Sequence, residues 1–141
     1  MEARERFAAA RVARLATSGA DGVPHLVPVV FAVEGDALAF AVDHKPKRSA
    51  DLRRLRNIAA NPCVCLLADH YEDDWTRLWW ARADGRAEIV AEPGERARWV
   101  ARLAARYPQY IAAPPEGPVV VVAVERWSGW SYDPFAASTS A

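Results

Sequence analysis

The chain has 141 residues, 18 Lys or Arg against 18 Asp or Glu, and just over half of its residues are apolar. That length and composition suit a single domain over residues 1–141 with a real core, and exclude a disordered chain. A net charge of zero argues against bulk nucleic-acid binding, and no apolar run approaches a membrane span, so neither partner is expected.

The opening, "MEARERFAAARVARLAT", alternates charge and has no apolar block, so no signal peptide is expected and the compartment is read as cytoplasmic. Met1–Ala10 favours a short entry helix. "RVARLATSGADGVPHLVPVVFAV" reads as two strands around a turn at Ser18–Gly22, because Gly and Asp interrupt two β-favouring runs. Pro24 and Pro28 require the second strand to be bulged or at an edge. "EGD" at 34–36 turns the chain into a third strand, "ALAFAVD", and three strands joined by short turns predict an antiparallel meander.

"SADLRRLRNIAAN" switches to a helical period. Ser49 is a candidate N-cap, Asp51 suits the first turn, and Leu52, Leu55, Ile58 and Ala59 share one face. "NP" at 61–62 ends the helix. "CVCLLAD" and "TRLWWARADGRAEIV" are strands. Cys63 and Cys65 are too close on an extended chain to bridge well and read as two small buried hydrophobes. "PGERARWVARLAARY" is an amphipathic helix with Pro93 in its first turn. "PVVVVAVERW" is an apolar strand, and "SGWSYDP" reads as a last short one. The fold class is mainly β with flanking helices: six or seven antiparallel strands in a barrel, with two or three helices outside.

Charge is concentrated where the total hides it. Six of the 18 cations, Lys45, Lys47, Arg48, Arg53, Arg54 and Arg56, fall within twelve residues, against Asp51 alone. Lys45, Lys47 and Arg48 precede a helix N-terminus, where free N–H groups already favour phosphate. The competing reading is a solvated charged face opposite Leu52, Leu55 and Ile58. The acidic loop "DHYEDDW", with Asp69, Glu72, Asp73 and Asp74, could also neutralise these cations. His70 among those acids matches no standard metal-ligand spacing, and no metal site is expected. His25, beside Pro24, reads as a packed or hydrogen-bonded histidine. Glycine-rich phosphate loops, nucleophile elbows and zinc-protease motifs are absent. So little acid–base machinery suits a reaction whose chemistry a cofactor carries, such as hydride transfer, and no catalytic side chain is assigned.

The ordered run "RVARLATSGADGVPHLVPVVFAVEGDALAFAVD", the basic segment, "RNIAANPCVCLLAD" and "ARADGRAEIV" resembles the split β-barrel flavin and deazaflavin oxidoreductases. These are the pyridoxamine 5′-phosphate oxidase-like proteins, and the likeness is greatest to their actinobacterial coenzyme F420-dependent branch. The resemblance implies a homodimer with two cofactor sites between subunits. It places Pro28, Val29, Val42 and Asp43 beside the isoalloxazine or deazaflavin ring. Cations ahead of and early in the helix would hold the phosphate, which implicates Lys45, Lys47, Arg48 and Arg54. Counting back from "RNIAANP" puts Arg54 at the usual phosphate lysine, whereas counting forward from the third strand puts Lys47 or Arg48 there.

Adjacent Trp79 and Trp80 point to opposite strand faces, one of them suited to a pocket or dimer interface. Trp127 and Trp130 are candidates to reach a partner's site. The leading expectation is an F420H2-dependent oxidoreductase acting on a small molecule. An FMN-dependent oxidase or reductase of the same fold is the alternative, and a non-enzymatic anion-binding or interaction protein is the reading from another class.

Overall fold

Apolar or small side chains alternate with polar ones along several of the strands, and the chain buries the apolar set by curling one sheet on itself. The computed structural model describes residues 2–42 and 49–132, with side chains from residue 53 onward in the second stretch. Its elements are α1 (Ala3–Ala9), β1 (Ala13–Ser18), β2 (Pro24–Val29), β3 (Ala32–Glu34), β4 (Ala37–Ala41), α2 (Ser49–Ala60), β5 (Cys63–His70), β6 (Trp79–Val90), α3 (Pro93–Arg106), α4 (Gln109–Ala112) and β7 (Val119–Ser131). The strands form one seven-stranded sheet in the order β2-β1-β5-β6-β7-β4-β3, antiparallel throughout. Among the described residues no helix is long and apolar enough to cross a membrane.

The expected meander does not form. β2 pairs only with β1 and β3 only with β4, so two strands adjacent in sequence lie at opposite edges of the sheet. The break falls at Phe31. Tyr107 at the end of α3 accepts the Phe31 N–H at its hydroxyl (3.2 Å), and Arg106 donates to the Phe31 carbonyl (2.9 Å). Side chains from a helix 75 residues away thus satisfy backbone groups that a ladder would otherwise hold. The edge position expected for β2 does occur, and it leaves the missing N–H groups of Pro24 and Pro28 without consequence.

The inner face of the curl holds Leu15, Leu38, Phe40, Leu66, Val120 and Val122, all fully buried. Two helices add to this core from opposite ends. Phe7 of α1 packs on Phe31 and Trp127, with ring centroids 4.8 and 5.5 Å away. Ile58 of α2 enters near Thr17, where Asn57 donates to the Thr17 hydroxyl at 3.1 Å. α3 covers the outside of β3, β4 and β7 with Trp99, Leu103 and Tyr107 against Ala32, Ala39 and Val119. Its N-terminus is closed by Glu92, whose carboxylate accepts the N–H groups of Gly94 and Glu95.

Several local readings need correction. β7 is one strand through Ser131, so the expected separate strand at "SGWSYDP" is its continuation. Gly129 marks a close approach there: a Cβ would stand 3.0 Å from the Trp80 carbonyl oxygen and 3.1 Å from Ala3 Cβ. β6 starts at Trp79, because Trp75–Arg77 form a 3-10 turn capped by Asp74. α2 begins at Ser49 itself, and the Ser49, Asp51 and Leu52 side chains lie outside those described. Ala59 is exposed, whereas Arg54 and Asn57 join Ile58 on the buried side of α2. Cys63 is exposed and Cys65 half-buried, so they are not the buried pair expected, although both remain free thiols on one strand face.

Candidate cofactor site

Of the ten expected site residues, Asp43, Lys45, Lys47 and Arg48 lie outside the described residues. The other six occupy different regions of the protomer. Val29 is buried on the inner face beside Ala13, while Pro28 is exposed on the outer face opposite Arg14. Val42 is buried just past β4 and donates its N–H to the Pro118 carbonyl. Arg54 sits over the opposite end of the β1–β2 ladder, near the Thr17–His25 pair. Four residues separate His25 from Val29, about 13 Å along a strand.

The α2 corner is rich in positive groups. Arg54 is only 9% exposed, so the expected solvated position does not hold, and Arg53 beside it is half-buried. Arg56 alone of the three faces solvent, as the polar-face reading required. His25 projects from the same strand face as Val27 and Val29 and stands opposite Thr17. Its burial, then the positive charges of Arg53 and Arg54, depress the imidazole pKa below its usual value. The buried Nδ1 has no hydrogen-bond partner among the described residues.

The acidic loop does not neutralise this corner. Glu72 is engaged by His70 and Arg77, and the His70 hydrogen bond is the main cause of its depressed pKa. Asp69 faces Arg14 at 3.6 Å, and Asp74 accepts from the Thr76 hydroxyl and backbone. Each of these acids is taken up within its own end of the sheet. Among the described residues no group of three or more metal-ligating side chains occurs.

Trp79 and Trp80 diverge as the strand period requires. Trp79 packs against the inner cluster and lies under the Arg6 guanidinium, 5.2 Å from its ring. Trp80 faces outward and lines a groove of about 240 Å³ with Leu67, Asp69, Tyr71 and Arg82. Arg82 lies over the Trp80 ring at 5.5 Å and pairs with Asp84 at 3.0 Å. Trp130 pairs with Trp80 across the ladder and extends this aromatic surface towards Tyr132. Trp127 instead turns inward, donating its indole N–H to Asp36, so only Trp130 of that pair is on the outer face. Three apart in a strand means opposite faces. The Arg82–Asp69 groove escaped the sequence reading, although the i, i+2 spacing of Trp80, Arg82 and Asp84 on one strand face could have shown it.

A curled seven-stranded antiparallel sheet, open between β2 and β3 and closed at its ends by helices, defines a split-barrel protein. The chain belongs to the pyridoxamine 5′-phosphate oxidase family, whose model matches residues 1–131. Solved structures agree on the fold. An FAD-binding protein from Mesorhizobium loti is 21% identical with a TM-score of 0.69, covering 90% of each chain. A conserved hypothetical protein from Mycobacterium tuberculosis is 24% identical with a TM-score of 0.70, over 97% of this chain and 88% of that one. A heme storage protein from Vibrio cholerae is 18% identical with a TM-score of 0.70, over 91% of this chain and 90% of that one. No curated protein matches significantly.

Proposed function

We propose that the chain is an F420H2-dependent oxidoreductase that works as a homodimer and reduces an electrophilic small molecule. The observation that carries the reading is the α2 corner. Arg53 and Arg54 lie there beside His25, while the acidic loop, at the other end of β5, engages Arg14, His70 and Arg77. The basic run Lys45, Lys47 and Arg48 precedes the same helix in sequence. That much positive charge suits the phosphate and carboxylates of the F420 tail better than one phosphate monoester.

The distribution of the remaining residues supports a site shared between two copies. Pro28, Arg14, Leu67 and Arg82 run side by side across the outer face of β2, β1, β5 and β6. Leu26 of β2 and the Trp80 groove lie on that same face. A partner seated there would bring an aromatic wall towards a ring whose tail is held at the α2 corner. When bound, the reduced deazaflavin supplies the hydride. The chain's part is to grip the tail with Arg53 and Arg54, to orient the ring near Pro28, Val29 and Val42, and to exclude water.

Apo-protein titrated separately with F420 and FMN, followed by cofactor fluorescence, tests this reading. Tighter binding of F420 is expected, and tighter FMN binding overturns it. The flavin alternative has one observation in its favour, the likeness in fold to an FAD-binding protein. A yellow purified protein that releases flavin on denaturation would establish that alternative. Light scattering should give twice the chain mass of 15.5 kDa with cofactor present. A monomer would sink the shared site.

A further inference from the structure

We propose that the groove beside Trp80 binds a small planar monocarboxylate of single-ring size, with the carboxylate on the terminal nitrogens of Arg82. The inference rests on the reading above, in which this face is turned towards a cofactor ring, and names the substrate class that the face admits.

Arg82 is held from two sides. Its Nε donates to the Asp84 carboxylate at 3.0 Å, and its guanidinium lies 5.5 Å from the Trp80 ring centroid. Trp80, Arg82 and Asp84 alternate onto one face of β6, so both contacts orient the plane of the guanidinium. Its terminal nitrogens have no hydrogen-bond partner among the described residues. The side chain is 32% exposed and lines the groove, so a ligand can reach them. A planar fork already oriented loses little freedom on taking a carboxylate through parallel N–H bonds.

The rest of the lining sets the shape. Leu67 lies opposite Arg82 on β5 and adds an apolar surface, while Trp80 and Tyr71 supply aromatic ones. Such surfaces favour a flat ring, stacked or edge to face. At about 240 Å³ the groove is smaller than most ligand pockets and suits one ring. The fused ring system of a flavin or deazaflavin is too large to be its occupant.

Charge selects among anions. Asp69 lines the same groove and faces Arg14 at 3.6 Å, and Asp84 flanks Arg82. The carboxylates of Asp69 and Asp84 offset the charges of Arg14 and Arg82, which leaves no net field to hold a dianion. A monoanion bound through directed hydrogen bonds fits that balance, and a phosphate monoester does not.

trans-Cinnamate is the probe, being flat, single-ringed and singly charged, and cinnamamide is its uncharged counterpart. Proton–nitrogen NMR spectra of the full chain follow the Trp80 indole N–H and the Arg82 Nε–H, with Trp80→Leu and Arg82→Gln fixing the assignments. We expect cinnamate to shift both signals. The indoles of Trp99 and Trp127 should stay in place, since one lies under α3 and the other is bonded to Asp36. Cinnamamide should bind the parent about tenfold to a hundredfold more weakly, and Arg82→Gln should lose as much for cinnamate. Trp80→Leu should lose about threefold to tenfold. The Arg82–Asp84 pair is partly exposed, so Arg82→Gln should melt near the parent. The comparison of cinnamate with cinnamamide on the parent holds even where a variant fails to fold. No binding at about 10 mM, equal binding of cinnamamide, tighter binding of phenyl phosphate, or shifts that bypass Trp80 each overturn the proposal.

F420 titrated into the same samples separates the two readings. F420 binding with a groove indifferent to cinnamate removes this inference and leaves the cofactor assignment intact. Cinnamate bound at Trp80 without F420 binding removes the cofactor assignment alone.

Discussion

Asn57 of α2 donates its side-chain amide to the hydroxyl of Thr17 on β1 at 3.1 Å, with both residues buried. This bond fixes the helix that carries Arg53 and Arg54 against the strand that pairs with His25. The geometry also explains a neighbouring glycine. A Cβ on Gly19 would stand 2.6 Å from the Asn57 Oδ1, so a side chain there would push the amide away. Asn57→Ala leaves the Thr17 hydroxyl short of a partner and should cost about 1–3 kcal/mol of stability. Chemical denaturation measures this. A loss within error would mean that the bond does not pin the helix.

Tyr107→Phe tests what splits the sheet. The phenol accepts the Phe31 N–H and lies 3.0 Å from both the Arg11 and Phe31 carbonyl oxygens, to one of which it donates. Losing it strands a buried N–H, at about 1–3 kcal/mol. Amide exchange should accelerate at Phe31 more than in the centre of β6. Uniform exchange across the molecule would refute a local role.

Gly85→Ala should be among the most damaging small substitutions. The register shifts between Asp84 and Gly85, and an added Cβ would lie 2.3 Å from the backbone oxygen of Ala123. A backbone atom cannot rotate aside, so the two longest strands must separate locally. About 1–3 kcal/mol or more is expected, read as a lower melting temperature. Gly22→Ala gives a useful contrast. Its site is open, but its φ of 75° strains any side chain, so that loss comes from backbone conformation alone.

Glu34→Gln should show a pH-dependent effect. Hydrogen bonding from Arg98, with the charges of Arg98 and Arg102, holds the Glu34 carboxyl below its usual pKa. A depressed carboxyl stabilises the fold above its unfolded-state pKa, and that contribution disappears as pH falls through the folded-state value. The variant should therefore melt slightly below the parent at neutral pH and converge with it under acid conditions. The pair is exposed, so the shift should also shrink in high salt. A gap that widens on acidification would contradict the assignment.

Arg53→Ala and Arg54→Ala should each weaken F420 binding about tenfold to a hundredfold, as expected for loss of a charge-assisted hydrogen bond. Their stabilities should differ. Arg53 is half-buried and its loss should leave melting nearly unchanged, whereas Arg54 is 9% exposed and its truncation should also lower the melting temperature. Fluorescence titration alongside calorimetry reads both. Parent-like affinity in both variants would mean that the corner does not hold the tail.

What the sequence determined by itself is the local grammar. Alternation in "CVCLLAD" and "PVVVVAVERW", the turn around Gly22, the helical period of "PGERARWVARLAARY" and the edge-only tolerance of Pro24 and Pro28 each depend on neighbours a few residues away. The order of segments also sufficed for the family and the split barrel. Local signals failed where distant groups decide the outcome. Nothing near Phe31 reveals that Tyr107 and Arg106 will hold its backbone and send β3 to the far edge. Nor does the pattern of α2 show that Arg54 turns inward, since a guanidinium is buried only where the surrounding fold supplies a place for it. Gly129 falls in what reads as a separate short strand until β7 is seen running through it with α1 packed against it. The His25 nitrogen, buried without a partner among the described residues, and the Trp80 groove likewise arise from strands and helices brought together from separate parts of the chain. Backbone hydrogen bonding and side-chain period are short-range and legible in sequence; burial, field and close approach are properties of the assembled surface, and only the tertiary structure decides them.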